Sequence, residues 1–241
     1  MVVYEIPQDS KKWIKNQLSK KYSSDEAEAK YQEILEIYEK FSNETPSIGG
    51  KDNPMSKNFY GALSAFAYYE CMNCDMSPDE IMDMCFGMMI GDKKGGQLSK
   101  FNLNNKLVQK IFHGLFRLRA KKLNRHKKDG SWNNTWGMEV QHDINDGIHF
   151  VLRGCPIKDY CEKHGIMEIL PYLCNMDHLM IQALQLYLIR PKTCSNGDEI
   201  CEYTIVANDS PLAKINPIVV TDSGLMLTKK EKNHAISGIR E

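Results

Sequence analysis

Trp136–Arg153 reads WGMEVQHDINDGIHFVLR. Trp136–His142 (WGMEVQH) and Ile148–Arg153 (IHFVLR) alternate like strands, and Asp143–Gly147 (DINDG) between them is rich in turn residues. That is a hairpin signature, and strands joined this closely run antiparallel. A third strand is predicted at Glu199–Ala207 (EICEYTIVA), entered by the turn Ser195-Asn196-Gly197-Asp198.

Everything before the hairpin reads as helix. Trp13, Ile14, Leu18 and Tyr22 mark one apolar face, and a second helix opens at Ser24-Asp25-Glu26 and carries Tyr31, Ile34, Leu35, Tyr38 and Phe41. SIGGKDNP at 47–54 breaks the periodicity, because Gly-Gly and Asn-Pro are turn dipeptides. Residues 56–72 form an apolar helix, and Ser77-Pro78-Asp79-Glu80 opens the next as a capping box with proline at the first helical position. Gly91–Gly96 is a second loop. Residues 103–125 then form a basic amphipathic helix, with Leu107, Ile111, Leu115 and Leu118 on one face. After the hairpin, residues 157–164 and 166–189 return to helical periodicity, and the tail from Ser210 is mixed. The expected class is α+β: a helical N-terminal half (1–130) packed on a small antiparallel sheet with further helices (131–241), in a single domain over 1–241.

Composition narrows the functional classes. The 241 residues hold 31 Lys+Arg against 31 Asp+Glu, 42% hydrophobic residues and 26% charged ones. Disorder as the main state is excluded by that apolar content at zero net charge. Nucleic-acid binding is disfavoured, because such domains are strongly basic. The N-terminal MVVYEIPQDSKKW lacks an apolar run of signal-peptide length. The longest apolar stretches, Met84–Ile90 and Leu179–Ile189, fall short of the roughly 20 residues of a membrane span. A cytoplasmic protein with no membrane partner is expected, and its eight cysteines are then reduced thiols.

Three groups of residues are candidates for chemistry. Cys71-x-x-Cys74 has no second CxxC and no following His pair, so it reads as packing. Lys106–Lys128 holds nine Lys/Arg and no acid, which reads as a solvated face balanced by the acids of residues 25–44. The third group is C-terminal: Cys155 just after a strand, Cys174-Asn-Met-Asp177-His178, Arg190, Gly197 and Cys201. Cys174 and Asp177 are three apart and share a helix face. A thiol beside an acid or imidazole suits a cysteine nucleophile, since the thiolate is the reactive form. On spacing alone, cysteines packed on buried faces are the leading reading and the nucleophile is the alternative.

This third group resembles the L-2-amino-thiazoline-4-carboxylic acid hydrolase family. The matching runs are IHFVLRGCPIKDYCEKHGIMEILPYLCNMDHLMIQAL and RPKTCSNGDEICEYTI. The family pattern has Arg-x-Cys-Pro at a strand end, a glycine before a helix with Cys-x-x-Asp, an arginine, and a Gly-x-x-x-Cys-x-aromatic strand. Cys155, Pro156, Gly165, Cys174, Asp177, Arg190, Gly197 and Cys201 occupy those positions, with Gly154 between Arg153 and Cys155. GGKDNPMSKNFYGALSAFAYYE also looks like the family's N-terminal region, so the resemblance covers about residues 48–90 and 135–208.

The resemblance implies a hydrolase that opens a small cyclic amidine such as 2-aminothiazoline-4-carboxylate, at a C–N or C–S bond, without metal or other cofactor. Cys174 is the expected nucleophile and Asp177 the carboxylate that holds the amidinium. His149 or His178 is expected to deliver a proton, because imidazole titrates near neutrality. Cys155, Cys201, Arg190, Asn53 and Glu70 are expected to line the substrate pocket, with Arg190 on the substrate carboxylate. The expected partner is a small molecule, and a homo-oligomer is left open. Two alternatives stand beside this reading. One is a metal-dependent hydrolase using Cys155, Cys174, Cys201 and Asp177 or a histidine as ligands. The other is a non-enzymatic binding or sensor module related to vinyl-reductase-type domains.

Overall fold

The computed structural model describes residues 5–90, 103–141 and 146–228. The loop expected at Gly91–Gly96 and most of the hairpin turn, 143–145, lie outside the described residues. The chain divides into two compact units, within residues 1–93 and 94–241.

The first unit is helical: α1 (Gln8–Lys21), α2 (Ser24–Glu44), α3 (Ser56–Cys71) and α4 (Pro78–Met89). α2 is capped one residue earlier than expected, by Ser23, whose backbone N–H donates to Glu26 Oε2 at 3.1 Å. The α4 box forms as read: the Glu80 N–H donates to Ser77 Oγ at 3.3 Å and the Ser77 N–H to Glu80 Oε2 at 3.0 Å. α3 is buried on nearly every side, including Phe59, Leu63, Phe66 and Tyr68. Trp13 of α1 meets Tyr68 edge-on at 5.0 Å. Gly87 of α4 makes that possible, since a Cβ there would sit 1.9 Å from Trp13 Cδ1.

The second unit holds α5 (Lys106–Lys128), β1 (Gly137–Val140), β2 (Ile148–Arg153), α6 (Pro156–His164), α7 (Leu170–Ala183), β3 (Leu186–Lys192), β4 (Ile200–Ala207), α8 (Pro211–Ile215), β5 (Ile218–Val220) and β6 (Met226–Thr228). Helices with a four-stranded antiparallel sheet in the order β1-β2-β4-β3 make the class α+β, as expected. Two elements correct the sequence reading. Residues 166–189 are not helical to their end: α7 stops at Ala183, Gln185 takes a left-handed φ of 57°, and β3 begins at Leu186. The run Leu184–Ile189 is too evenly apolar for its period to separate helix from strand. The tail also carries the small β5–β6 hairpin.

α5 seals the free edge of β1. Asn124 Nδ2 donates to the Met138 carbonyl at 2.7 Å and Asn124 Oδ1 accepts the Met138 N–H at 2.9 Å, so one side chain satisfies both backbone groups of an edge residue. The apolar stripe of α5 therefore does not face the core. Leu107, Ile111, Leu115 and Leu118 are 55–67% exposed, while Ala120 and Leu123 are buried. Among the described residues, no helix is long and apolar enough to cross a membrane.

Register decides which residues share a face. Leu152 pairs with Cys201, Phe150 with Tyr203 and Ile148 with Ile205, so these six point to one side of the sheet. His149 pairs with Thr204 and Val151 with Glu202, on the opposite side.

Candidate functional site

The site gathers where α7 meets β3 and β4. Asp177 of α7 accepts two bonds on Oδ2: from Arg190 Nη1 at 3.0 Å and from the Tyr203 hydroxyl at 2.9 Å. Arg190 Nη1 also donates to the Cys174 carbonyl at 2.6 Å. Arg190 lies in the register irregularity between Ile189 and Lys192, and bulges of this kind re-aim side chains. It is 1% exposed. A guanidinium so buried needs an anion beside it, and Asp177 is that anion. Arg190, expected to grip a substrate carboxylate, is bonded here to the carboxylate of Asp177. The Asp177 side chain keeps 25% of its surface exposed. Burial pushes its carboxyl up, against the pull of Arg190, the Tyr203 bond and His178. Burial and the nearby Asp177 charge hold the Tyr203 phenol far above its usual range, so it stays a donor.

A second knot forms around Cys201. The chain leaves β3 through Thr193 and a 3-10 turn at Cys194–Asn196, then reverses at Gly197 with φ 89°. Asp198 Oδ2 accepts the Thr193 N–H at 2.9 Å and closes the loop. The Cys194 N–H consequently donates to Cys201 Sγ at 3.3 Å, the two sulfurs stand 3.3 Å apart, and Thr193 Oγ1 lies 3.9 Å from Cys201 Sγ. The Cys194 thiol, then its backbone N–H, the Arg190 charge and the Thr193 hydroxyl draw the Cys201 thiol down to about 7 despite burial. Cys194 is pushed up in return, chiefly by its bond to Cys201.

The other two predicted cysteines differ. Cys155 sits at the start of α6, and burial raises it to about 12 against the amides of Lys158 and Ile157. Cys174 is raised by burial, with Arg190 pulling it down and Cys201, Cys155 and Asp177 pushing it up. The three thiols are close enough to feel one another's charge. Cys174, the expected nucleophile, is therefore held as a thiol, and the sulfur poised to ionise is Cys201.

The histidines part ways. His149 is on the far side of the sheet from Cys201 and Tyr203, with Nε2 3.3 Å from Glu202 Oε1, because strand alternation puts it on the Thr204 face. His149, expected as a proton donor, is thus not brought to the face that carries Cys201 and Tyr203. His178 is fully buried on α7, and its charge is among the influences that lower Asp177. Asn53 and Glu70 belong to the first unit. Asn53 is a buried turn residue: its Nδ2 donates to the Ile48 carbonyl and its Oδ1 accepts the Met55 N–H at 2.8 Å. Glu70 is exposed on α3. Among the described residues, no three His, Cys, Asp or Glu side chains are grouped to hold a metal ion, so the ligand set of the metal-dependent alternative is not assembled.

Tyr203, Thr193 and Cys194 were missed by sequence reasoning. Tyr203 is the aromatic of the Gly-x-x-x-Cys-x-aromatic pattern, and two residues after Cys201 on a strand means the same face. For Cys194 the signal is the Ser-Asn-Gly turn that folds it back on Cys201.

Residues 55–205 match the family model described as L-2-amino-thiazoline-4-carboxylic acid hydrolase, and that span takes in every residue of both knots. No curated protein and no solved structure matches the chain.

Proposed function

As the chain belongs to the L-2-amino-thiazoline-4-carboxylic acid hydrolase family, we propose that it opens a small cyclic amidine such as 2-aminothiazoline-4-carboxylate by hydrolysis at the ring carbon. The observation that carries this reading is the Asp177–Arg190–Tyr203 cluster. An amidinium needs an oriented carboxylate, and here one is locked by a guanidinium and a phenol that both bond Oδ2. Oδ1 of a partly exposed side chain is then the atom for the substrate cation. Holding the amidinium charged keeps its central carbon electrophilic, and a fixed carboxylate needs no reorganisation as the ring opens. The thiols of Cys155, Cys174 and Cys201 lie near enough to influence one another's charge, and Asp177 acts on Cys174 in the same way.

The test is incubation of the full chain with 2-aminothiazoline-4-carboxylate, 2-aminothiazoline and a 2-iminoimidazolidine, with products separated and weighed by mass spectrometry. The expected result is a product one water heavier than the thiazoline, a carbamoyl-cysteine from the carboxylated ring, and its disappearance in Asp177→Ala. Binding of these rings without any turnover would favour the binding-module reading instead and overturn this one.

A further inference from the structure

Resting on that reading, we propose that Cys201 is the attacking sulfur, held as a thiolate by a cradle built from the Thr193–Asn196 turn, and that Cys194 is the proton carrier paired with it. Three groups converge on one sulfur. These are the Cys194 N–H at 3.3 Å, the Thr193 hydroxyl at 3.9 Å, and the Cys194 sulfur at 3.3 Å, which accepts the Cys201 S–H while that thiol is protonated and turns its own S–H to Cys201 once it ionises. The Arg190 charge adds to them, and it lowers Cys201 as well as Asp177. Donors fixed by a turn hold an anion without the help of water. Cys155 and Cys174, both raised, stay thiols under the same conditions. Register places Cys201 and Tyr203 on one face of β4, and the Tyr203 hydroxyl bonds Asp177, so the nucleophile and the cation holder face the same side of the sheet.

The Cys201 thiolate forms a bond to the ring carbon of the amidinium held by Asp177. The ring C–S bond breaks, and its electron pair stays on the departing sulfur. That sulfur takes the proton of the Cys194 thiol, which is free to leave because the Cys201 charge that retained it is now consumed in the new bond. The result is an isothiouronium on Cys201, a free thiol on the substrate and a thiolate on Cys194. Water then adds to the same carbon. Cys194 recovers a proton from it, the bond to Cys201 breaks with its pair returning to sulfur, and the protonated urea loses its remaining proton to solvent. One water is consumed, one proton is released, and both cysteines end as they began.

The experiment is alkylation of the full chain with iodoacetamide between pH 5 and pH 10, read peptide by peptide by mass spectrometry. Turnover mixtures quenched in acid are weighed alongside. Cys201 is expected to react with a midpoint near pH 7, ahead of Cys155 and Cys174, and to carry the isothiouronium in the quenched mixture. Cys194→Ala keeps the backbone N–H but removes the thiol, and its Cys201 midpoint is expected to move up toward the ordinary thiol value of 9.0. Cys201→Ala is expected to lower kcat by roughly a thousandfold or more. Earlier labelling of Cys174, an adduct on Cys174, or an unmoved midpoint in Cys194→Ala overturns the assignment. The labelling order needs no substrate. A wild type with a midpoint near pH 7 that opens no cyclic amidine therefore points to failure of the hydrolase reading, whereas turnover with the adduct elsewhere points to failure of this one.

Discussion

α3 of the first unit and β4 of the second are both buried, yet they bury different things. α3 hides aromatic and aliphatic side chains, and its buried serine, Ser64, turns its hydroxyl back onto the Tyr60 carbonyl at 2.8 Å. Around β4 the buried side chains include Arg190, Thr193, Thr204 and His178, and two of the cysteines there are shifted in opposite directions by each other. Apolar burial stabilises wherever it occurs. Polar burial costs stability unless each group is partnered. At the seam of α7 with β3 and β4 a buried guanidinium, a carboxylate and a phenol meet and partner one another.

Substitutions that separate stability from chemistry test the contrast. The largest effect is expected from Asp177→Ala, which takes the carboxylate away from the buried Arg190 guanidinium. Removing one partner of a buried pair costs about 3–5 kcal/mol, measurable by denaturant unfolding, and turnover should vanish with it. A loss under about 1 kcal/mol would mean that Arg190 is not held by Asp177 alone. Next comes a pH effect at Cys201. Its folded-state value, about 7, lies below the ordinary thiol value of 9.0. The native state thus binds that proton more weakly than the unfolded chain. The stability it contributes is complete above pH 9 and is lost as pH falls through 7. That difference in proton affinity is worth on the order of 2–3 kcal/mol. Cys201→Ala should therefore lower stability more at pH 9.5 than at pH 6, and an equal loss at both would show that the cradle does not favour the thiolate.

The first unit should respond without any chemical signature. Gly87→Ala drives a methyl into Trp13, an overpacking worth about 2 kcal/mol. The thermal midpoint should drop while the pH midpoint for Cys201 alkylation stays put. The smallest effect is Ser77→Ala, which removes the α4 cap at a cost of about 1 kcal/mol and should leave product formation unchanged. If either of these moved the Cys201 midpoint, the division of labour between the two cores would fall.

Legibility in the sequence follows the range of the interactions involved. The α4 capping box, the β2 span and the entry to β4 were readable because their signals lie within a few residues of one another. β3 was not, since Leu184–Ile189 suits either period and only its pairing with β4 decides. The stripe Leu107, Ile111, Leu115 and Leu118 was read as one face of a helix, but its exposure was not legible, because a helix pattern does not say which face a neighbour will cover. At the site, Cys174 and Asp177 were found from helical spacing, and the family pattern supplied Arg190 and Cys201. The ranking of the cysteines was hidden. It depends on a turn that brings an N–H and a second sulfur onto Cys201, while desolvation keeps Cys155 and Cys174 protonated.

The Thr193–Cys201 turn has a consequence in folding time. Its bonds run between residues at most eight apart, and it joins two strands that are neighbours in sequence and in the sheet. Such a local hairpin closes in about 1–10 μs, whereas contacts between distant segments wait on the closure of larger loops. The Tyr203–Asp177 bond spans 26 residues. On chain separation alone the sulfur cradle is expected to close before Asp177 reaches Arg190 and Tyr203, so the thiol pair is set by its turn and the carboxylate by the docking of a helix.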